Sequence, residues 1–206
     1  MEIREGLTMV FLLRLARAID AVTEAIGKAV GWLILVAVLL SAGNAIVRKL
    51  FNVSSNAYLE AQWYLYGAAF LGAAALTLKQ NEHIRIDIVY GTFSRRTQHW
   101  IDLFGHVFFL MPFVILMDIY LVPYFLLSYS TGEVSNNSGG LILWPAKALL
   151  LGGFVLLTVQ GVSEIIKKIA VMTGDMEDPT PFVSAHQAAE MEGEQLAEAI
   201  AKGVKP

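Results

Sequence analysis

The chain has 206 residues, of which 56 % are hydrophobic and 16 % charged, with a formal net charge of −3 and no cysteine. A water-soluble domain carries about 25 % charge, so this composition argues against one. The missing cysteines exclude disulfides, thiolate metal sites and a cysteine nucleophile, and the few scattered basic residues exclude a nucleic-acid surface.

In chain order, residues 1–28 come first. Leu15, Ile19, Val22 and Ile26 recur there at helical spacing, with Arg17, Asp20, Glu24 and Lys28 at other angles. This predicts an amphipathic helix lying on a membrane, or a polar extension of the segment that follows. It lacks the cleavage pattern of a signal peptide.

Four apolar blocks follow: Ala29–Val47, Ala61–Leu78, Leu103–Leu127 and Leu141–Ser163. A helix needs about 20 residues to cross the hydrocarbon core, and lipid satisfies no backbone polar groups, so spans are helical. The prediction is an all-α integral membrane protein with four transmembrane helices in residues 29–168, preceded by the amphipathic helix of residues 1–28 and followed by an acidic tail over residues 169–206. In the third block, Pro112 and Pro123 predict a kink. Gly67 and Gly72 in the second predict close helix packing. His106 is expected to hydrogen-bond near the headgroups.

Ten basic residues (Arg4, Arg14, Arg17, Lys28, Lys79, Arg85, Arg95, Arg96, Lys167 and Lys168) flank one side of these spans, and Arg48 and Lys49 the other. Positive charge stays cytoplasmic, so both termini are expected in the cytoplasm of a bacterial inner-membrane protein, with the loop after Gly132 facing the periplasm. From Thr173 the tail holds seven acids against Lys202 and Lys205. It reads as a solvated segment or as a docking element for a soluble partner.

Individual polar residues have two readings each. Glu60 opens the second span near Arg48, so it either pairs with Arg48 or contacts another chain. Asp118 lies inside the third span with Lys147 inside the fourth, giving a structural pair or a contact between subunits. His83, Arg85 and Asp87 sit in a loop whose spacing matches no metal motif and would tie that loop to span ends. Glu133, Ser135 and Asn136 belong to a polar, glycine-rich segment, either a tight capped connection or a docking loop. No acid–base–nucleophile set converges anywhere, so no enzymatic activity, metal or cofactor is expected. With no internal repeat and no row of ionisable groups, transport by the chain alone is not expected either.

Several strings together resemble a known family: "RKLFNVSSNAYLEAQWYLYGAAFLGAAALTLKQNEHIRIDIVY", "MPF" at Met111–Phe113, "STGEVSNNSGGLILWPAK" and "LLTVQGVSEII". In this order they are similar to the small membrane (DctQ-like) subunit of tripartite ATP-independent periplasmic (TRAP) transporters. The matching positions are Glu60; His83, Arg85 and Asp87; Gly132, Glu133, Ser135, Gly139 and Gly140; and Gln160 with Gly161. The resemblance implies a non-catalytic scaffold beside a large multi-span subunit. That partner moves substrate with sodium by an elevator movement, and a periplasmic solute-binding protein delivers the substrate. The outer loop looks like that of a branch associated with 2-oxo, hydroxy and aromatic acids. The acidic tail departs from the family pattern. The alternative is an assembly or stabilising subunit of another membrane complex.

Overall fold

The computed structural model describes residues 2–53, 55–81, 90 and 93–178. The expected polar cluster of His83, Arg85 and Asp87 lies outside these residues, as does most of the acidic tail. The described residues are helical apart from short connections. They form α1 (Glu2–Phe51), α2 (Asn56–Gln80), α3 (Arg95–Gly105), a π-helical turn (His106–Leu110), α4 (Met111–Thr131) and α5 (Trp144–Thr173).

Helix α1 is continuous for 50 residues, about 75 Å at 1.5 Å per residue. The boundary expected at Lys28 is not a break. The amphipathic segment extends the first apolar block instead of forming a separate helix, because neither glycine nor proline interrupts the helical ladder strongly enough to end it. It stops at Asn52, which adopts a left-handed conformation at φ 52°, a shape asparagine tolerates better than most residues. Asn81 ends α2 in the same way.

Among the described residues, three stretches are long and apolar enough to cross a membrane: Thr8–Phe51, Arg95–Thr131 and Trp144–Thr173. The expected fourth span is α2. Its 25 residues reach about 37 Å, but Gln62, Trp63, Tyr64 and Tyr66 make its first half less apolar. The third block is part of a continuous run from Arg95 to Thr131. Its widened π turn directly precedes Pro112. Proline has no N–H and its ring crowds the carbonyl four residues back, here that of Phe108 within the π turn. Pro123 is accommodated inside α4 without ending it.

Helix α5 is the hub. It packs on α1, α2 and α4, while α1 and α2 pack on each other. Small residues make these approaches possible, as in other membrane bundles. Ala16, Ala37, Ala75 and Ala170 are buried almost completely. A β-carbon on Gly27 would lie 2.6 Å from Leu76, one on Gly72 2.9 Å from Val30, and one on Gly153 2.6 Å from Leu71. Gly67, by contrast, borders open space, so only the second of the two expected packing glycines has that role. The large side chains point outward instead: Phe70 is 77 % exposed and Trp32 70 %. A core of small residues inside a shell of large apolar ones suits a bundle surrounded by lipid or by other helices.

Candidate functional site

The chain concentrates its polar order at the two ends of the bundle. The loop between α4 and α5 is a small hairpin. Val134 and Ile142 form an antiparallel bridge, flanked by hydrogen bonds from the Ser135 N–H to the Leu141 carbonyl and from the Leu143 N–H to the Glu133 carbonyl, both 2.9 Å. Gly139 turns it at φ 70°, in the region where glycine pays least. Gly140 is required for a different reason. A β-carbon there would lie 2.6 Å from the Ser135 β-carbon and 2.9 Å from Glu60 Oε1.

Glu60 is the anchor of this hairpin. It is 4 % exposed and accepts three hydrogen bonds from the loop. Ser135 Oγ donates to Oε1 at 2.5 Å, Asn137 Nδ2 donates to Oε1 at 2.8 Å, and the Leu141 amide donates to Oε2 at 2.6 Å. Two further side chains of α2 hold the hairpin. Asn56 Nδ2 donates to the Ser138 carbonyl at 2.9 Å, and the Tyr64 hydroxyl donates to the Ile142 carbonyl at 3.1 Å. A carboxylate with two oxygens facing three donors is well satisfied without a cation.

The expected Glu60–Arg48 pair is therefore absent among the described residues. Glu60 faces inward to the loop, while Arg48 is exposed in the last turn of α1, where its charge complements the helix dipole. The expected Asp118–Lys147 pair is also corrected. Lys147 instead meets Glu133 and stands 3.8 Å from the centre of the Tyr124 ring. Asp118 accepts from Thr158 Oγ1 at 2.7 Å. Depth explains both outcomes. Asp118 and Thr158 lie thirteen and fourteen residues from the hairpin ends of α4 and α5, whereas Lys147 is in the first turn of α5. Eleven residues of helix, about 16 Å, separate Lys147 from the level of Asp118.

Of the loop residues singled out from sequence, Glu133 and Ser135 are thus internally engaged. Asn136 is exposed at the tip. The Lys147 ammonium hydrogen-bonded to Glu133 holds that carboxyl below its ordinary range. A lowered carboxyl pKa contributes stability that is present above the unfolded value of about 4.3 and is lost as pH falls through the lower folded value. The melting temperature of Glu133→Gln is accordingly expected below that of the parent at neutral pH, with the difference closing in acid. A difference that persists unchanged at low pH would contradict the ion pair.

The opposite end carries a second network, which residue-by-residue reading did not find. Asp20, in the first half of α1, accepts from Gln160 Nε2 at 2.9 Å, from Ser163 Oγ at 2.9 Å and from Lys167 Nζ at 2.9 Å. Glu164 accepts from the same glutamine at 2.8 Å and from the same lysine at 2.5 Å. Gln160 and Ser163 are fully buried. Nearby, Lys79 bridges α2 to Glu24 at 2.6 Å, and Lys168 bridges α5 to Asp102 at 2.7 Å. Asp178, just beyond α5, is held by Arg95 at 2.6 Å and His99 at 3.1 Å. His106 bonds to the Asp102 carbonyl. The signal for the Asp20 site was available: Gln160, Ser163, Glu164 and Lys167 recur at i, i+3, i+4 and i+7 in an otherwise apolar helix, which places them on one face.

These two networks tie helices together, and they contain no arrangement of nucleophile and base. Among the described residues, no group of three or more histidines and acids is placed to hold a metal ion.

Comparison with known proteins bears on this architecture. No curated protein and no solved structure matches the chain. A family model described as "Tripartite ATP-independent periplasmic transporters, DctQ component" matches residues 37–171, from the middle of α1 to the end of α5. That stretch is about two thirds of the chain and includes Glu60, the whole hairpin and the Gln160–Lys167 face. The chain therefore belongs to the family of DctQ components of tripartite ATP-independent periplasmic transporters.

Proposed function

We propose that the chain is a non-catalytic scaffold subunit of a sodium-coupled TRAP transporter for organic acids. In this reading four helices, α2 included, span a bacterial inner membrane with both termini cytoplasmic. The chain braces the large multi-span subunit that moves the substrate, and its hairpin helps dock the periplasmic solute-binding protein. The observation that carries the reading is the Glu60 clamp. A loop with its side chains bound back to a neighbouring helix is a fixed surface, which suits a stator better than a moving part. The polar groups elsewhere are likewise used in fastening helices to one another. The family match supports the transport setting. The ten-to-two distribution of basic residues supports the orientation, and the likeness of the loop to the 2-oxo, hydroxy and aromatic acid branch supports the substrate class.

The test is reconstitution. In liposomes with a sodium gradient, the chain alone is expected to accumulate no organic acid. Uptake is expected only when the large subunit and the solute-binding protein are present. Sodium-driven uptake by the isolated chain would end the scaffold reading.

The docking role is tested at Asn136, which is exposed and outside the clamp. Asn136→Arg is expected to leave the yield of the membrane complex unchanged and to raise the concentration of binding protein needed for half-maximal uptake. A single polar contact is worth about 0.5–1.5 kcal/mol, so a shift of about two- to tenfold is expected. An unchanged concentration dependence would remove the docking role. A cysteine at the same position should react with an impermeant reagent added from the periplasmic side.

A further inference from the structure

At the end of the bundle opposite the hairpin, α3 and the last turns of α5 border a half-open cavity of about 730 Å³, lined by Arg96, His99, Trp100, Leu103, Ile169 and Met172 among others. We infer that this cavity binds a phospholipid, with the headgroup phosphate at Arg96 and the start of an acyl chain along Leu103, Ile169 and Met172.

Charge is the first reason. The other basic groups of this region are paired, Arg95 and His99 with Asp178 and Lys168 with Asp102, and Asp175 accepts from the hydroxyl of Thr173 at the cavity edge. Arg96 makes no hydrogen bond or ion pair among the described residues and is exposed. A guanidinium carries a planar fork of donors that matches phosphate oxygens. With its basic neighbours already paired, Arg96 is the cation that the cavity wall offers to an incoming phosphate.

Shape and chemistry supply the second reason. The wall changes from cationic to apolar within two turns of α3, since Arg96 is followed by Trp100 and Leu103. Trp100 is 56 % exposed beside the opening. An indole with one wet edge and one apolar edge settles at the headgroup level of a bilayer. Arg96 and Trp100 are also four residues apart on one helix, and so on one face. A free phosphate ion would use the arginine and leave the apolar wall empty. A phospholipid uses both.

The experiment uses the full chain in detergent. It is titrated with phosphatidylglycerol, with phosphatidylcholine of identical acyl chains and with glycerol 3-phosphate, and native mass spectrometry counts the bound molecules. Phosphatidylglycerol is expected to bind about fivefold more tightly than phosphatidylcholine, the factor that corresponds to the usual attraction of one basic side chain to anionic lipid. Arg96→Gln is expected to abolish the preference and Arg96→Lys to keep it. Met172→Trp, which fills the apolar part and leaves Arg96 in place, is expected to weaken both lipids. Equal binding of the two lipids by the parent chain, or a preference unchanged in Arg96→Gln, would overturn the site. So would competition by glycerol 3-phosphate combined with indifference to Met172→Trp, since the occupant would then be a free phosphate.

Discussion

Replacing Glu60 with alanine is expected to open the hairpin while leaving the helices in place. The substitution removes the shared acceptor of Ser135, Asn137 and the Leu141 amide at one stroke. Loss of a buried partner costs more than the bond itself contributes, because the groups left behind are desolvated and unpaired. The hairpin keeps its own bridge and the contacts of Asn56 and Tyr64. The expected result is thus a detached loop and not an unfolded chain. Limited proteolysis should show new cleavage between Asn136 and Gly140, with helical circular dichroism near that of the parent. Glu60→Gln should be intermediate, since its amide keeps one accepting oxygen and turns two hydrogens toward donors. In the assembled transporter, Glu60→Ala should reduce uptake most at low concentrations of binding protein. Protection of the loop at the parent level would show that Glu60 is not its anchor.

The largest stability effect is expected at Asp20. Asp20→Leu removes one of the two carboxylates that hold Lys167 and Gln160 between α1 and α5, and leaves both side chains to Glu164 alone. The side chains of Asp20 and Lys167 are each only 17 % exposed. Removing one member of a buried pair typically costs about 3–5 kcal/mol, and the residual exposure and the retained Glu164 contact reduce this to roughly 1–2 kcal/mol here. The thermal midpoint in detergent should fall by on the order of 2–8 °C. A second variant separates pairing from packing. Asp20→Leu combined with Glu164→Leu and Lys167→Leu replaces all three charges of the site with apolar side chains, and replacing a whole buried ionic group in this way is often nearly neutral. It is expected to be more stable than Asp20→Leu alone. If the triple variant is the less stable of the two, the ionic site is not what holds α1 to α5.

Much of the architecture follows from patterns inside single segments. Apolar blocks of span length, separated by polar stretches, predict long helices, because a chain in lipid has no other way to satisfy its backbone. The ends of these helices are also local events. Asn52, Asn81, Gly132 and Gly174 all take positive φ where helices stop, as asparagine and glycine do at minor cost. The Gly139–Gly140 pair likewise marks a tight turn. What local pattern left open at the first helix was whether residues 1–28 lie apart or continue into the span. No strong breaker stands between them, and one helix of 50 residues resulted.

Partner choice was a different matter. Reading along the chain, Glu60 is close to Arg48, and Asp118 and Lys147 are the unusual charges of consecutive spans, so these pairs looked natural. In the folded bundle, depth and facing direction decide instead. Glu60 meets a loop that begins some seventy residues later. Asp118 meets the threonine at its own level, and Lys147 meets the glutamate at the mouth of its helix. Asp20 finds its partners about 140 residues away on α5. The sequence by itself determined that the chain is a bundle of long apolar helices with a polar glycine turn between the last two, since hydrophobic length, helix-ending residues and charge bias act over a few turns of backbone. Only the tertiary structure decided which polar groups meet. A hydrogen bond or ion pair depends on donor and acceptor coming within about 3 Å, and that distance is set by the register and rotation of helices packed through Gly72, Gly153 and their small neighbours.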